Sequence, residues 1–328
     1  MKRIAIIGAG GWGTALAQLM AAKKKGVTLW GFEKPLVEAL RVTRENTPFL
    51  PGVRLDDSVH VTTDMAEAVE GAEVVLVVPP SKGMRSVAAT LAKTGVQAPL
   101  VSLTKGIEQG TELRMSEILQ QTLPGLPVAV LSGPSHAEEV ARAMPTAVVL
   151  GCKDEALARR IQNTLMSPAF RIYTSTDVAG IELGGALKNV FAIAAGISDG
   201  LGFGDNSKAA LVTRSLVELV RLGTALGGRK ATFRGLSGVG DLMVTCFSRH
   251  SRNRAVGERI GKGEPVGQIT ACLQSVAEGV PTALSAYECA RHHDVETPIL
   301  DTVHALLYQG KSSREVLDKL LSRAPKEE

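Results

Sequence analysis

The run Ile4–Ala22, IAIIGAGGWGTALAQLMAA, decides how the first half of this 328-residue chain is read. Ile4 to Ile7 is a short apolar stretch without in-out alternation, which marks a strand buried on both faces. Gly8-Ala9-Gly10-Gly11-Trp12-Gly13 follows and opens an Ala- and Leu-rich helix from Thr14 to Ala22. A G-x-G-x-x-G pattern therefore stands in the strand-turn-helix setting that a dinucleotide site needs. Gly8 permits the tight turn, Gly10 lets backbone approach a pyrophosphate, and Gly13 lets the helix pack close to the strand, while the helix N-terminus offers unsatisfied N–H donors. Trp12 flanks the cofactor in this reading. Glu33 stands twenty residues after Gly13, just beyond a second strand from Val27 to Trp30, where a carboxylate can accept from the adenosine ribose. A carboxylate there argues for NAD, and Lys34 and Arg41 nearby leave NADP open. The competing reading of Glu33 is a solvated acid at a strand end.

Outward from this run, short Val/Ile/Leu stretches recur at Val74 to Val78, Leu100 to Leu103, Val128 to Leu131 and Ala147 to Leu150, separated by helical patterns. Such continuous apolar strands predict a doubly wound, parallel α/β sheet of Rossmann type. Past Asp177 the strand-like stretches stop. Helical periodicity takes over at Ile181–Ser198, Lys208–Leu226, Asn253–Ile260, Pro281–Arg291 and Pro298–Leu307. The expected organisation is a dinucleotide-binding domain over 1–180 and a mainly helical substrate-binding and catalytic domain over 181–328, with no low-complexity linker between them.

Composition narrows the partners. A hydrophobic fraction of 45% with 21% charged residues is that of a folded globular chain. The formal net charge of +4 is mild and no basic run outgrows Lys23-Lys24-Lys25, so a small anionic ligand suits the chain better than nucleic acid. Four widely spaced cysteines form no C-x-x-C pair, which points to a reduced, cytoplasmic setting. The chain enters a strand directly, without a signal-type helix, and carries no run of eighteen uncharged apolar residues, so no membrane span is expected.

Within Ile181–Ile197, IELGGALKNVFAIAAGI, Lys188 is the sole cation and Glu182 the sole other charge. Leu183, Leu187, Val190, Phe191, Ala194 and Ile197 recur at helical spacing, so Lys188 and Asn189 are set into a core helix. A buried ammonium costs several kcal/mol unless paired, roughly, and desolvation moves it toward proton exchange near neutral pH. Lys188 is then either a proton-transfer residue or a lysine that snorkels to water from the edge of the apolar face. Its place at the expected domain junction favours the first, since ligand sites gather at such junctions.

Three further clusters follow predicted strands or open predicted helices. Thr104-Lys105-Gly106 follows a strand and directs Lys105 toward the crevice at the carboxyl ends of the sheet. Ser132-Gly133-Pro134-Ser135 follows another, and Ser135 with Glu138 has the spacing of a capping box. In Ser251-Arg252-Asn253-Arg254, Ser251 is the expected N-cap of a helix whose N-terminus, with an arginine beside it, suits a phosphate. A surface arginine pair next to a cap is the alternative. Gly235-Leu236-Ser237-Gly238-Val239-Gly240-Asp241-Leu242 reads as a glycine-rich turn that displays Asp241 and leads to Thr245. An acid beside Lys188 would orient it and set its protonation. The six histidines show no H-x-x-x-H or Cys/His spacing, so no metal site is expected, and His292-His293 is assigned to a solvated helix end.

GAGGWGTALA, LTKGIE, LSGPSHAEEVA, ELGGALKNVFAIAAGISDGLG, GLSGVGDLMVTC, SRNRAVG and AEGV, in this order, resemble the bacterial NAD(P)-dependent sn-glycerol-3-phosphate dehydrogenases over nearly the whole chain. The resemblance implies a Rossmann domain that binds NADH or NADPH and a helical domain that closes over dihydroxyacetone phosphate, a small phosphorylated three-carbon substrate. It implies reversible reduction to sn-glycerol 3-phosphate, which feeds glycerophospholipid synthesis. It further implies Lys188 as the acid/base, assisted by Asp241 and Lys105, with Lys105, Gly133, Ser135, Asp241, Ser251, Arg252 and Asn253 lining the substrate and Asn189 and Thr245 beside it. Gly11, Trp12, Ala137, Arg252, Val276 and Glu278 are the implied cofactor contacts beside Gly8, Gly10, Gly13, Glu33 and Lys105. A homodimer is the accompanying expectation. Gly31-Phe32-Glu33-Lys34 departs from the Arg or His that many members carry after the second strand. A 6-phosphogluconate or hydroxy-acid type dehydrogenase, and a nucleotide-sensing module without turnover, are the rival readings.

Overall fold

The computed structural model describes residues 3–23, 26–272, 276–312 and 315. Strands Arg3–Ile7 (β1), Gly26–Trp30 (β2), Glu45–Asn46 (β3), Leu50–Arg54 (β4), Val59–Thr62 (β5), Ala72–Val77 (β6), Leu100–Ser102 (β7), Val128–Ser132 (β8), Thr146–Gly151 (β9) and Phe170–Ser175 (β10) are formed. Eight of them make one sheet in the order β10-β9-β8-β7-β6-β1-β2-β5, and β3 pairs with β4 separately. The order reverses at β1, where β2 lies on one side and β6 on the other, both parallel to it. This is the switch point at which a doubly wound sheet receives its ligand, and the glycine loop leaves the carboxyl end of β1 there.

Alternate residues of β1 face opposite sides of the sheet. Ile4 and Ile6 join a core with Leu29, Leu76 and Val101, while Ala5 and Ile7 join another with Val75, Val77 and Leu100. Each Ile, Leu or Val side chain among them contributes roughly 1.5–3 kcal/mol on burial, which is why the inner strands are apolar throughout. Four strands escaped the sequence reading: the short pair β3 and β4, and two strands of the main sheet. β5 (VHVT) and β10 (FRIYTS) are the two edges of the sheet, and each carries exposed side chains, so neither has the continuous apolar signature of the inner strands.

The sheet is mostly parallel, with one departure from the all-parallel expectation. β8 and β9 run antiparallel, pairing Val130 with Gly151 and Ser132 with Val149. The connection over 133–145 carries only the single helical turn Ala137–Val140, too little to cross a face of the sheet as a parallel connection requires.

The chain forms two compact units. One comprises the residues up to Lys105 with Leu113–Glu182, and the other comprises Gly106–Glu112 with the residues from Leu183 on. The second is helical: Asp205–Ala225, Asp241–Phe247, Arg252–Gly261, Val266–Ala271, Gly279–His292 and Pro298–Tyr308 accompany most of Val178–Gly200. Among the described residues, Val178–Gly200 is the one helix long and apolar enough to cross a membrane by length and composition, but 94% of its apolar window is buried inside the protein.

Glycines seat the Arg252–Gly261 helix against that core helix. A methyl on Gly196 would stand 1.9 Å from Arg254 O, and one on Gly257 would stand 2.0 Å from Ile193 O. Gly200 and Gly261, one turn further along, meet Glu258 O and Ile197 O at 2.2 and 2.5 Å by the same construction. Two small-x-x-x-small faces thus bring two backbones into direct contact, closer than any side chain would permit.

Candidate active site

The loop after β1 is built by glycine at each point where a side chain would collide. Gly8 has φ +129°, and a methyl on it would lie 2.7 Å from Val78 O; one on Gly13 would lie 1.9 Å from Gly8 O. A methyl on Gly11 would lie 2.5 Å from Phe49 O. Gly10 differs, because a methyl there would meet no protein atom within 4 Å. Space is left over Gly10 for another group, and the helix Gly11–Ala21 opens beside it with no side-chain cap on its first N–H donors. The backbone therefore fits a pyrophosphate.

Asn46 supports this loop and was not singled out in the sequence. It is fully buried in β3, and its Nδ2 donates to Ala9 O at 2.8 Å and to Thr14 Oγ1 at 2.7 Å. No local pattern announces it, since the link spans more than thirty residues of chain. Trp12 packs against Phe170 at 6.4 Å between ring centroids and flanks the small cluster of Ala15, Leu50 and Val53. Glu33 is exposed at the start of the helix Lys34–Thr43 and makes no side-chain cap bond to it. Arg41 donates through Nε to Val61 O at 2.8 Å, so it is engaged with β5.

Lys105, Gly133 and Ser135 come together in the same unit. Thr104 Oγ1 donates to Pro79 O at 2.6 Å and holds the turn, and Lys105 Nζ reaches Gly133 O at 3.2 Å. Gly133 has φ +144°, with Val148 Cα 3.0 Å from where its Cβ would be, so the residue has to be glycine. The expected capping box of Ser135 and Glu138 is not formed. His136 is the N-cap of Ala137–Val140 and makes no side-chain capping bond to it, and Ser135 Oγ donates instead to Gly133 O at 2.9 Å. The positive φ at Gly133 turns the chain so that Ser135 falls one residue too early to cap. Ala137, half-buried, is the first residue of that turn.

In the helical unit Lys188 does not snorkel. It is 6% exposed, and its Nζ lies 3.0 Å from Asp241 Oδ1 and donates to Thr245 Oγ1 at 2.6 Å. Thr245 Oγ1 in turn donates to Asp241 O at 2.6 Å. The segment read as a glycine-rich turn is a π-helical turn, Leu236–Gly240, that runs directly into the helix Asp241–Phe247. It lies against the lysine helix because Gly184, one turn before Lys188, has no side chain; a methyl there would stand 2.4 Å from Ser237 O. Asp241 and Thr245, four residues apart, then share one helix face toward Lys188. Cys246, next along, is a neutral packing residue, because burial pushes its thiol up to about 12 against the opposing pull of Lys188 and Lys208.

A second buried link joins Asn189 to Asn253, whose Nδ2 donates to Asn189 Oδ1 at 2.9 Å. Asn253 Oδ1 accepts from Gly279 N at 2.9 Å, fixing the start of Gly279–His292 next to half-buried Glu278, while Val276 is exposed. Ser251 is the N-cap the sequence predicts, with its Oγ accepting from Arg254 N at 3.2 Å. The two arginines separate. Arg254 Nε donates to Asp199 Oδ2 at 2.6 Å, a carboxylate that also holds Lys208 Nζ at 2.8 Å, whereas Arg252 is exposed at the first turn. The helical unit therefore offers a charge-balanced buried ammonium and, one glycine-packed helix away, an open helix N-terminus carrying a guanidinium.

Residues 3–158 match the family model described as the NAD-dependent glycerol-3-phosphate dehydrogenase N-terminus, and residues 177–318 match the model of the C-terminus. A protein of Citrifermentans bemidjiense named glycerol-3-phosphate dehydrogenase, NAD(P)+, is 50% identical over 331 residues, covering 100% of this chain and 99% of that one. Its counterpart of the same name in Rhodospirillum rubrum is 48% identical, covering 98% of this chain and 93% of that one. The crystal structure of glycerol-3-phosphate dehydrogenase from Coxiella burnetii superposes with a TM-score of 0.94 at 35% identity, covering 98% of this chain and 99% of that one. The chain belongs to the NAD-dependent glycerol-3-phosphate dehydrogenase family.

Proposed function

We propose that this protein reduces dihydroxyacetone phosphate to sn-glycerol 3-phosphate, reversibly, with NADH or NADPH. The observation that carries this reading is the buried Lys188 ammonium held by Asp241 and Thr245. The nicotinamide, when bound, supplies the hydride to the carbonyl carbon. Lys188 donates its proton to the carbonyl oxygen as charge develops there, so that a hydride and a proton together convert the ketone to the alcohol. A positioned acid of this kind contributes about 10²–10⁴-fold. Asp241 balances the lysine charge before transfer and holds Nζ in place, and Thr245 fixes both through its hydroxyl. A fixed donor needs no reorganisation at the moment of reaction, which is where most electrostatic stabilisation arises.

The substrate has little surface besides its phosphate, so binding energy has to come from that group. Arg252 and Asn253, at the N-terminus capped by Ser251, are assigned to the phosphate, with Asn189 beside them. Lys105, Gly133 and Ser135 are also assigned to the substrate, Lys105 polarising the carbonyl. Gly8, Gly10, Gly11, Trp12, Gly13, Glu33 and Ala137 are assigned to the cofactor, together with Lys105, Arg252, Val276 and Glu278. Glu33 favours NADH, since an exposed carboxylate beyond β2 repels a 2′-phosphate. Four free cysteines suit a reducing cytoplasm, and a homodimer whose product enters glycerophospholipid synthesis completes the reading. Following NADH and NADPH absorbance in parallel with dihydroxyacetone phosphate tests the reading; no substrate-dependent oxidation of either would refute it.

A further inference from the structure

The helical unit contains a glutamate–histidine group that the proposed reaction does not use. Glu112, His292 and His293 place one ligand atom each within 4.8 Å of the others. His292 Nδ1 lies 3.1 Å from Glu112 Oε2 and 3.2 Å from Oε1, and the two imidazole centroids are 5.1 Å apart. Helix Gly279–His292 ends here, and both histidines are exposed. Their rings are therefore able to turn from 4.8 Å toward the spacing of about 3.4 Å that tetrahedral bonds of about 2.0–2.2 Å impose.

We propose that Glu112, His292 and His293 form a binding site for a divalent transition metal of the Zn²⁺ class, completed by water. Two imidazole nitrogens and one carboxylate oxygen suit Zn²⁺, Co²⁺ or Ni²⁺ and do not suit Mg²⁺, which prefers an all-oxygen octahedron. Cys289, one turn earlier on the same helix face, is not a ligand. It is fully buried and lies outside the group of three whose ligand atoms converge. Spacing in the sequence conceals the site, because 180 residues separate Glu112 from His292 and only the fold brings them together.

The site has a structural consequence. Glu112 ends the segment Gly106–Glu112, which belongs to the helical unit although Lys105 and Leu113 on either side of it do not. Gln109 Nε2 already reaches Pro281 O at 3.3 Å, near the start of Gly279–His292. A metal on Glu112 fastens the same segment to the far end of that helix, and ligation of the folded state alone raises its stability.

The test is calorimetric titration of the full-length chain with Zn²⁺, in a Cys272→Ser background that removes the exposed thiol. One Zn²⁺ per chain with micromolar affinity is expected, with a rise in Tm of about 2 °C or more at saturation and no comparable binding of Mg²⁺. His292→Ala, His293→Ala and Glu112→Gln should each weaken Zn²⁺ binding at least about tenfold, since loss of even an outer-shell partner costs that much. Circular dichroism and turnover without metal should match the parent in all three. Absence of stoichiometric Zn²⁺ binding, or parental affinity in any one of the three variants, overturns the three-ligand site.

Discussion

Asp241 meets Lys188 at 3.0 Å with both side chains almost wholly buried, and Thr245 accepts a hydrogen bond from the same ammonium. Breaking such a pair from one side strands an ion and costs about 3–5 kcal/mol, whereas replacing both ions by apolar residues of similar volume is often neutral or stabilising. Asp241→Ala should therefore lower unfolding stability by about that amount and abolish turnover. Lys188→Met with Asp241→Leu should recover stability while staying inactive. Urea unfolding alongside the NADH assay separates the two effects, and a double variant as unstable as the single one would contradict this account of the pair.

The glycine-packed crossing controls where the Arg252–Gly261 helix sits. Gly257→Ala places a methyl 2.0 Å from Ile193 O, against backbone that has no side chain to move aside. A loss of about 1–3 kcal/mol of stability is expected, as for overpacking elsewhere. Displacing Arg252 and Asn253 should raise KM for dihydroxyacetone phosphate more than it lowers kcat. Unchanged KM and stability would show that the helix tolerates the shift.

Glu218 gives stability a pH dependence unrelated to turnover. It is buried, and its carboxylate accepts from Ile299 N and Leu300 N at the start of Pro298–Tyr308. Burial is the main cause that raises its pKa from 4.5 to about 7, against those backbone bonds. The folded state thus binds the proton more tightly than the unfolded state. Its contribution is complete below pH 4.5 and is lost as pH rises toward about 7, by about 3 kcal/mol at most. Glu218→Gln should flatten the stability profile between these limits, which denaturant titrations at pH 5, 6, 7 and 8 would reveal.

Coenzyme choice is assigned to an exposed position. Glu33→Ser removes the carboxylate beyond β2, and the ratio of kcat/KM for NADPH over NADH should rise several-fold. An unchanged ratio would remove Glu33 from coenzyme selection.

The inner strands and the glycine loop were legible in the sequence because their signals are local: unbroken apolar runs such as Val74–Val77, and glycines directly after β1. Ser251 was legible for the same reason, as an N-cap three residues from its donor. The edge strands β5 and β10 were not, since their exposed residues dilute the apolar signal. Ser135 misled, because its capping spacing with Glu138 carries no information about the φ of Gly133. Asn46 and the meeting of Lys188 with Asp241 lie in contacts across long stretches of chain, which a linear pattern does not encode. The paired faces Gly196/Gly200 and Gly257/Gly261 were present as motifs, but their meaning emerges only when the two helices are set side by side.

Lys188→Ala is the most direct measurement. Removing the ammonium while leaving the glycine loop intact should reduce kcat by at least about 10²-fold, with NADH binding by fluorescence titration unchanged. Near-parental kcat with intact cofactor binding would contradict Lys188 as the proton donor, and with it the central claim.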